Sequence, residues 1–536
     1  MHARDEERDR YRYEVHRNRG AERADESIRS RPAGLDVGVV DSFHTDITGR
    51  LTLIPAITDA GLLCTTTRLG GVSAGINRVD LDTASLERFD SLLDRSQRSD
   101  LEQTMARYAR AMHGRTLWNV NSTARGGGVV ELLSSVIPYD RGSGIDERWD
   151  VIEGSPAFFN VTKRLHNLLH GMESGGIEIS DEERGEYEST IKENASALAK
   201  DVKRGDVVVL HDPQVAGLVP SLAERGAAVI WRCHIGADQP NEATRAAWRF
   251  LLPYLTKARA YVFSMRRYAW EGLDPACVHV IAPAVDPFTL KNRDLPDPDV
   301  AAILHGAGVM RPSSGSAPVV KFERKASLIG DAFAPDARIV VQVSRWDRLK
   351  DPVGVLEAFG RGIAPKSDAV LVLAGPAVSA VDDDPEQPEV LNAVASCRES
   401  LPAGVRDRVL IAQLPMVNIE ENATMVNALQ RRADIVVQKS LAEGYGLTVA
   451  EAMWKARPMV ASRVGGIEEQ IEDGKSGLLI DDARDLESFA AAVDGLLHDP
   501  PRAAELGQGA RRRAIAQLIV PRHLVEQARL VMSLLG

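Results

Sequence analysis

Two acids in an E-x7-E spacing, Glu443 and Glu451, flank a glycine-rich turn, Gly444, Tyr445 and Gly446, from which Leu447 and Thr448 lead into a helical stretch. A turn of this kind offers unpaired backbone N–H groups and the positive end of a helix dipole, which together hold an anion, most naturally a phosphate. Glu443 lies on the turn and Glu451 about two turns further along the helix, so they are not one carboxylate dyad. The spacing suits one acid on a sugar and the other on a ribose hydroxyl. The same turn would also serve simply to start a helix, and the spacing alone leaves both readings open. Upstream, VSRWDRLKDPVGVLEAF sets Arg345 and Lys350 on the loop after a strand, with Asp351 and Pro352 placed to begin the next helix. Two cations reaching one cleft would neutralise a diphosphate leaving group. In isolation an R-x4-K pair also reads as a solvated basic loop.

The N-terminal half carries a second group of polar residues at strand ends. After TLWNVNS come Gly126, Gly127 and Gly128, which let backbone approach a ligand at a helix N-terminus. A dinucleotide fingerprint would need glycine at position 131, where Glu131 stands, so a nicotinamide cofactor is disfavoured. FFNVTKRLHN supplies Lys163, His166 and Asn167. LHDPQ supplies His211, Asp212 and Gln214, and WRCHIG supplies Arg232 and His234. Polar residues at strand ends suit a cleft. The spacing of these histidines offers no metal-ligand pair, and the acidic run Asp382 to Glu386 reads as an exposed loop. The sequence therefore requires no cofactor and no metal, with Mg2+ at most a stimulant.

The elements that must position these residues alternate in two blocks. TLWNVNS, DVVVLHD, AAVIWRCHIG, AYVFS and VHVIAPA are apolar runs of the kind buried on both faces of a parallel sheet. A Pro-, Gly- and Ser-rich passage from Asp286 to about Pro335 follows. RIVVQVS, AVLVLAG, RVLIAQL, ADIVVQ, PMVAS and GLLI then repeat the pattern, with DPVGVLEAFG, ATMVNALQRRA, LTVAEAMWKA and DLESFAAAVDGLL as helices between them. The expected organisation is a solvated tail over 1–34 and an extension of unread role over 35–114. The extension contains LTLIPAI and GLLCTTTRLGG as short strands and a helical stretch from Thr83 to Gly114. An N-terminal Rossmann-like domain with linker over 115–335 and a C-terminal Rossmann-like domain over 336–518 come next. A final helix over 519–536 crosses back to the N-terminal domain.

Composition narrows the function classes. The chain has 536 residues, 44% hydrophobic and 26% charged, too many for one compact domain. A net charge of -11 without a long Lys/Arg run argues against nucleic acid or an anionic membrane as partner. The four cysteines, Cys64, Cys233, Cys277 and Cys397, form no C-x-x-C motif and suit a reducing compartment. The charged N-terminus has no signal-peptide core, and no apolar run approaches the roughly 20 residues that span a bilayer. A cytoplasmic protein is expected, and a homodimer is compatible with it.

Taken together, the E-x7-E of Glu443 and Glu451, the R-x4-K of Arg345 and Lys350, and the trailing RVGGIEEQIEDGKSGLLI resemble the retaining glycosyltransferases of family GT4. The resemblance implies a GT-B fold, two facing Rossmann-like domains with a central cleft. It places Glu443 on the donor sugar, Glu451 on the ribose, and Arg345 and Lys350 on the diphosphate, alongside the Gly127–Gly128 and Gly444–Thr448 backbone. VNSTARGGGVVELL, WDVIEG, FFNVTKRLHN, LHDPQ, WRCHIG and APAVDPFTLKN narrow the match to the trehalose glycosyltransferring synthases, a branch of GT4. Members join the glucose of ADP-, UDP- or GDP-glucose to free glucose, giving α,α-trehalose. The resemblance implies His234 against the reacting sugar, and Asp212, Gln214, Arg232 and His234 on the acceptor side. Retaining trehalose phosphorylases share the architecture and stand as an alternative, as do GT4 transferases with other acceptors and a non-catalytic sugar-nucleotide sensor. The extension before about Arg115 departs from the shorter synthases.

Overall fold

The computed structural model describes residues 68–69, 76–124, 127–173, 176–312, 320–378 and 386–536. The tail over 1–34, LTLIPAI, most of GLLCTTTRLGG, Gly126, most of the linker serines and Asp382 to Pro385 lie outside the described residues.

Among the described residues, fifteen strands form two sheets. The first holds β1 (Arg68–Leu69), β2 (Ile76–Asp80), β3 (Thr116–Asn121), β4 (Asp146–Ile152), β5 (Val207–His211), β6 (Ala228–Cys233), β7 (Ala260–Phe263) and β8 (Val278–Val280). Its order is β1-β2-β4-β3-β5-β6-β7-β8, parallel from β4 to β8, with β2 antiparallel to β4 and β1 to β2. The second holds β9 (Ser327–Ile329), β10 (Ile339–Val343), β11 (Val370–Pro376), β12 (Val409–Leu414), β13 (Ile435–Gln438), β14 (Met459–Ser462) and β15 (Leu478–Ile480). Its order is β15-β14-β13-β10-β11-β12-β9, parallel except for β9. The Val- and Ile-rich strands β3, β5, β6, β7, β10, β13 and β14 are buried along their whole length, as strands covered by helices on both faces must be. Every strand read from the apolar runs after Thr116 is present. Strands β2, β4 and β9, short or broken by charge, were not foreseen.

Both sheets have a point where the chain order reverses. From β3 the chain goes to β4 on one side and then to β5 on the other; from β10 it builds out through β11 and β12 and then returns to β13. Such switch points open a crevice at the carboxyl ends of the strands. Gly127 follows β3, Asp212 follows β5, Lys350 follows β10 and Glu443 follows β13. The topology thus gathers the candidate residues at the two crevices.

Six helices matter for the site: α1 (Arg95–Ala111), α2 (Gly128–Gly142), α3 (Pro156–Leu169), α4 (Ile419–Arg432), α5 (Leu447–Trp454) and α6 (Val520–Leu535). Residues of the expected extension join the first sheet. Asn77 pairs with Val151, and the Arg78 guanidinium bonds the Asp150 carboxylate at 2.9 Å. Leu101, Met105 and Tyr108 of α1 share a core with Leu524, Ala528 and Val531 of α6. Helix α6 follows a bridge between Ile519 and Val285 and sends Gln527 to Asp140 at 3.2 Å, so the C-terminus is anchored on the first half.

Candidate active site

The glycine-rich turn after β13 is held from several sides. Gly446 takes a left-handed conformation, φ 87°, ψ 62°, and caps α5, which is open to glycine because no Cβ meets the backbone. The Glu443 carboxylate accepts from Nζ of Lys350 at 2.5 Å and from Oγ of Ser440 at 3.2 Å. Tyr268, from the first half, donates its hydroxyl to the carbonyls of Glu443 at 2.8 Å and Gly444 at 3.1 Å. Gly466 N donates to Gly444 O at 3.2 Å, and Gln470 donates to Tyr445 O at 2.5 Å. Gly465 passes so close that a Cβ there would stand 1.7 Å from Glu443 O.

The cationic loop is tied to this turn. Leu441 N donates to Leu349 O at 2.7 Å, and Gln342 holds Lys350 O at 3.0 Å. Asp351 adopts φ 45°, caps the helix Pro352–Ala358 through Gly354 N, and bonds Lys439. Lys350 is therefore delivered to Glu443 by a rigid corner. Arg345 is more than half exposed and pairs with Asp347 at 3.2 Å.

Glu451 lies behind the turn, almost wholly buried, with Oε1 2.7 Å from Nζ of Lys291 and Oε2 3.4 Å from Nε2 of Gln430. Lys291 reaches Glu131 of α2 at 2.9 Å as well. Burial opposes the Lys291 charge, but the two carboxylates outweigh it and raise the ammonium above the usual lysine range. Lys291 was not among the residues singled out. Its signal in the sequence, a lone Lys in a linker, is weak. Thr448 Oγ1 donates to Gln438 at 3.4 Å.

Across the crevice, Gly127 opens α2 with φ 86°, and a Cβ on Gly128 would meet Leu447 Cδ1 at 3.5 Å. The two glycine turns thus approach each other. A Cβ on Gly444 would stand 3.2 Å from the carbonyl of His234. The structure therefore brings Lys350, Glu443, the Gly444–Leu447 turn, Gly128 and His234 into one place. Asp212, at the unusual φ of 69°, accepts His234 N at 2.8 Å; burial pushes its carboxyl up to about 7 against that hydrogen bond and Arg232. Gln214 has a buried Oε1 without a hydrogen-bond partner. Arg232 turns away: it is buried, with one Nη on His523 at 3.2 Å and the other on Ile281 O at 3.0 Å. His166 and His170 stack edge to face at 4.9 Å on α3 and the residue after it. His170 is held low by burial first and then by Lys350, with Glu443 acting the other way. It therefore belongs beside the ion pair. Its i, i+4 relation to His166 was the available sequence signal.

Among the described residues no group of three or more His, Cys, Asp or Glu stands in a position to hold a metal. Among them, too, no helix is long and apolar enough to cross a membrane.

Residues 119–270 match the family model of the trehalose synthase N-terminal domain, and residues 329–513 that of the glycosyl transferases group 1. A trehalose synthase of Rubrobacter xylanophilus is 35% identical over 86% of this chain and 100% of that protein. One of Pyrococcus horikoshii is 33% identical over 84% of this chain and 97% of that protein. A trehalose phosphorylase of Pleurotus sajor-caju is 24% identical over 67% of this chain but only 50% of that protein. Among solved structures, an α,α-trehalose-phosphate synthase (UDP-forming) from Burkholderia vietnamiensis superposes with a TM-score of 0.58 at 14% identity, over 78% of this chain and 98% of the other. At that identity the likeness speaks for the fold, which is GT-B.

Proposed function

The chain belongs to the trehalose synthase family of glycosyltransferases, and from that premise we propose that it joins glucose from a nucleoside-diphosphate glucose to free glucose, retaining the α configuration to give α,α-trehalose. One observation carries this reading: a lysine on a carboxylate at 2.5 Å, seated on a glycine turn that opens a helix, at the meeting of two switch-point crevices.

In this reading Arg345, Lys350 and the amides of Gly444–Leu447 stabilise the diphosphate as the anomeric bond breaks. Glu443 orients both the donor sugar and Lys350. Glu451 meets the ribose after sharing its carboxylate with Lys291. Gly127 and Gly128 close over the phosphates. The acceptor hydroxyl attacks from the face the diphosphate leaves, passing its proton toward that leaving group, so the configuration is kept without a covalent intermediate. Asp212 and Gln214 contact the acceptor, His234 contacts the reacting sugar, and Arg232 supports that face from behind through His523. Approach of the two halves excludes water.

The test incubates the protein with glucose and, separately, ADP-, UDP- and GDP-glucose, and measures trehalose and nucleoside diphosphate. Trehalose from one donor without added phosphate supports the reading and names the base. Nucleotide release without trehalose keeps the donor site and replaces the acceptor. Turnover only with phosphate and trehalose would reassign the chain to phosphorolysis.

A further inference from the structure

Behind His234 runs a chain of buried hydrogen bonds that the phosphate-binding residues do not use. Nδ1 of His211 lies 3.1 Å from Nε2 of His234, and Nε2 of His211 lies 3.0 Å from Oδ1 of Asn119. Nδ2 of Asn119 donates to Oε1 of Glu147 at 2.7 Å. Glu147 faces Asp140, which accepts from Gln527 of α6. Asn119, Glu147, Asp140 and His211 are all buried.

Each link has a direction. Oδ1 of Asp140 and Oε2 of Glu147 have no other hydrogen-bond partner, and a single proton between the two acids satisfies both. Oε1 of Glu147 is thereby left as an acceptor, so Asn119 must turn its NH2 toward it and its carbonyl oxygen toward His211. An amide oxygen only accepts, so His211 carries its proton on Nε2 and presents a lone pair at Nδ1. His234 must then donate from Nε2. Burial first, then Arg232, His211 and His523, hold the His234 ring neutral. Its Nδ1 is consequently a bare lone pair, and among the described residues nothing hydrogen-bonds to it.

We propose that Glu147, Asn119 and His211 are positioning residues that fix His234 as a hydrogen-bond acceptor, so that its Nδ1 selects a hydroxyl group of the sugar. The sugar's part in this rests on the function proposed above; the polarity of the chain does not. A hydroxyl can donate to Nδ1, whereas fluorine at the same carbon cannot. The relay therefore acts as a specificity device, rejecting a deoxyfluoro sugar as strongly as a deoxy sugar at that position.

The first measurement uses the full-length protein with 15N-labelled histidine, with the His234 signals assigned by their loss in His234→Ala. The expected result at neutral pH is a neutral His234 with its proton on Nε2. An Nδ1–H tautomer or a doubly protonated ring would overturn the proposal. Asn119→Leu breaks the chain and should populate the other tautomer. Glu147→Gln keeps an acceptor toward Asn119 and a donor toward Asp140, and should preserve the original one. An unchanged tautomer in Asn119→Leu would also overturn it. In turnover, Asn119→Leu should raise KM for one sugar about tenfold, the scale of one hydrogen bond, while calorimetric nucleotide affinity holds and Glu147→Gln behaves as the parent. The expected tautomer with no turnover on any sugar would leave the relay standing and sink the functional reading instead.

Discussion

Nζ of Lys350 and Oε2 of Glu443 lie 2.5 Å apart although 93 residues separate them in the chain. Their side chains are 17% and 9% exposed, so the pair is largely withdrawn from water and its charges are weakly screened. It joins the loops after β10 and β13, the two strands that bound the crevice of the second sheet.

Lys350→Ala should lower kcat with saturating donor by about 10²–10³, the scale of removing one preorganised donor from a charged transition state. Arg345→Ala should lose turnover on the same scale without unfolding the protein. Rates close to the parent in either variant, measured on folded protein, would remove these residues from the diphosphate site.

Tyr268→Phe removes the hydroxyl that reaches the carbonyls of Glu443 and Gly444 from the other half. The stability loss should be about 1–3 kcal/mol, because two acceptors are left behind. Turnover should drop with it, since the turn loses its brace across the crevice. Thermal unfolding alongside kcat checks this, and an unchanged kcat would show that the turn holds itself.

Two glycines should respond differently to alanine. At Gly465, where φ is 51° and a Cβ would stand 1.7 Å from Glu443 O, alanine must displace the turn and abolish nucleotide binding by calorimetry. At Gly128, a Cβ meets only Leu447 Cδ1 at 3.5 Å, ordinary contact, so alanine should leave folding intact. Equal nucleotide affinity in Gly465→Ala and the parent would contradict the placement of the donor phosphates on this turn.

Lys291→Met strips the buried Glu451 carboxylate of its ion-pair partner. An uncompensated buried charge typically costs about 3–5 kcal/mol, so the melting temperature should fall, and adding Glu451→Gln to Lys291→Met should recover part of the loss. A loss of the same size in the double variant would show that Lys291 acts by packing alone.

Asp212 carries a pH signature. Its carboxyl is raised to about 7 in the folded protein, against about 4 unfolded, so its stabilising contribution is complete below pH 4 and lost as pH rises through 7. Asp212→Asn has no such titration. The stability of the parent relative to this variant should therefore fall by up to about 4 kcal/mol from pH 4 to pH 8, read by denaturant unfolding. A pH-independent difference would mean that burial does not raise this carboxyl.

The strands of the two α/β blocks were legible because a strand buried on both faces must be apolar throughout, and runs such as VVVL and IVVQV have no other economical fold. Glu443, Glu451, Arg345 and Lys350 were legible as types at a spacing, since a glycine turn before a helix and cations after a strand act through local backbone geometry. Strand β2 was not legible. INRVD carries two charged residues in five and becomes a strand by pairing with β4, where Arg78 finds Asp150.

The amino-acid sequence by itself determined the alternation of strands and helices, the chemistry available at the strand ends and the kinship that goes with it. The tertiary structure decided which of those groups share a site. It turned Arg232 inward to His523, set Lys291 on Glu451 from the linker, and lined up Glu147, Asn119 and His211 behind His234. The reason is physical: hydrogen-bond direction and charge pairing act over about 3 Å, and distances on that scale between residues tens to hundreds of positions apart exist only once the sheets are assembled.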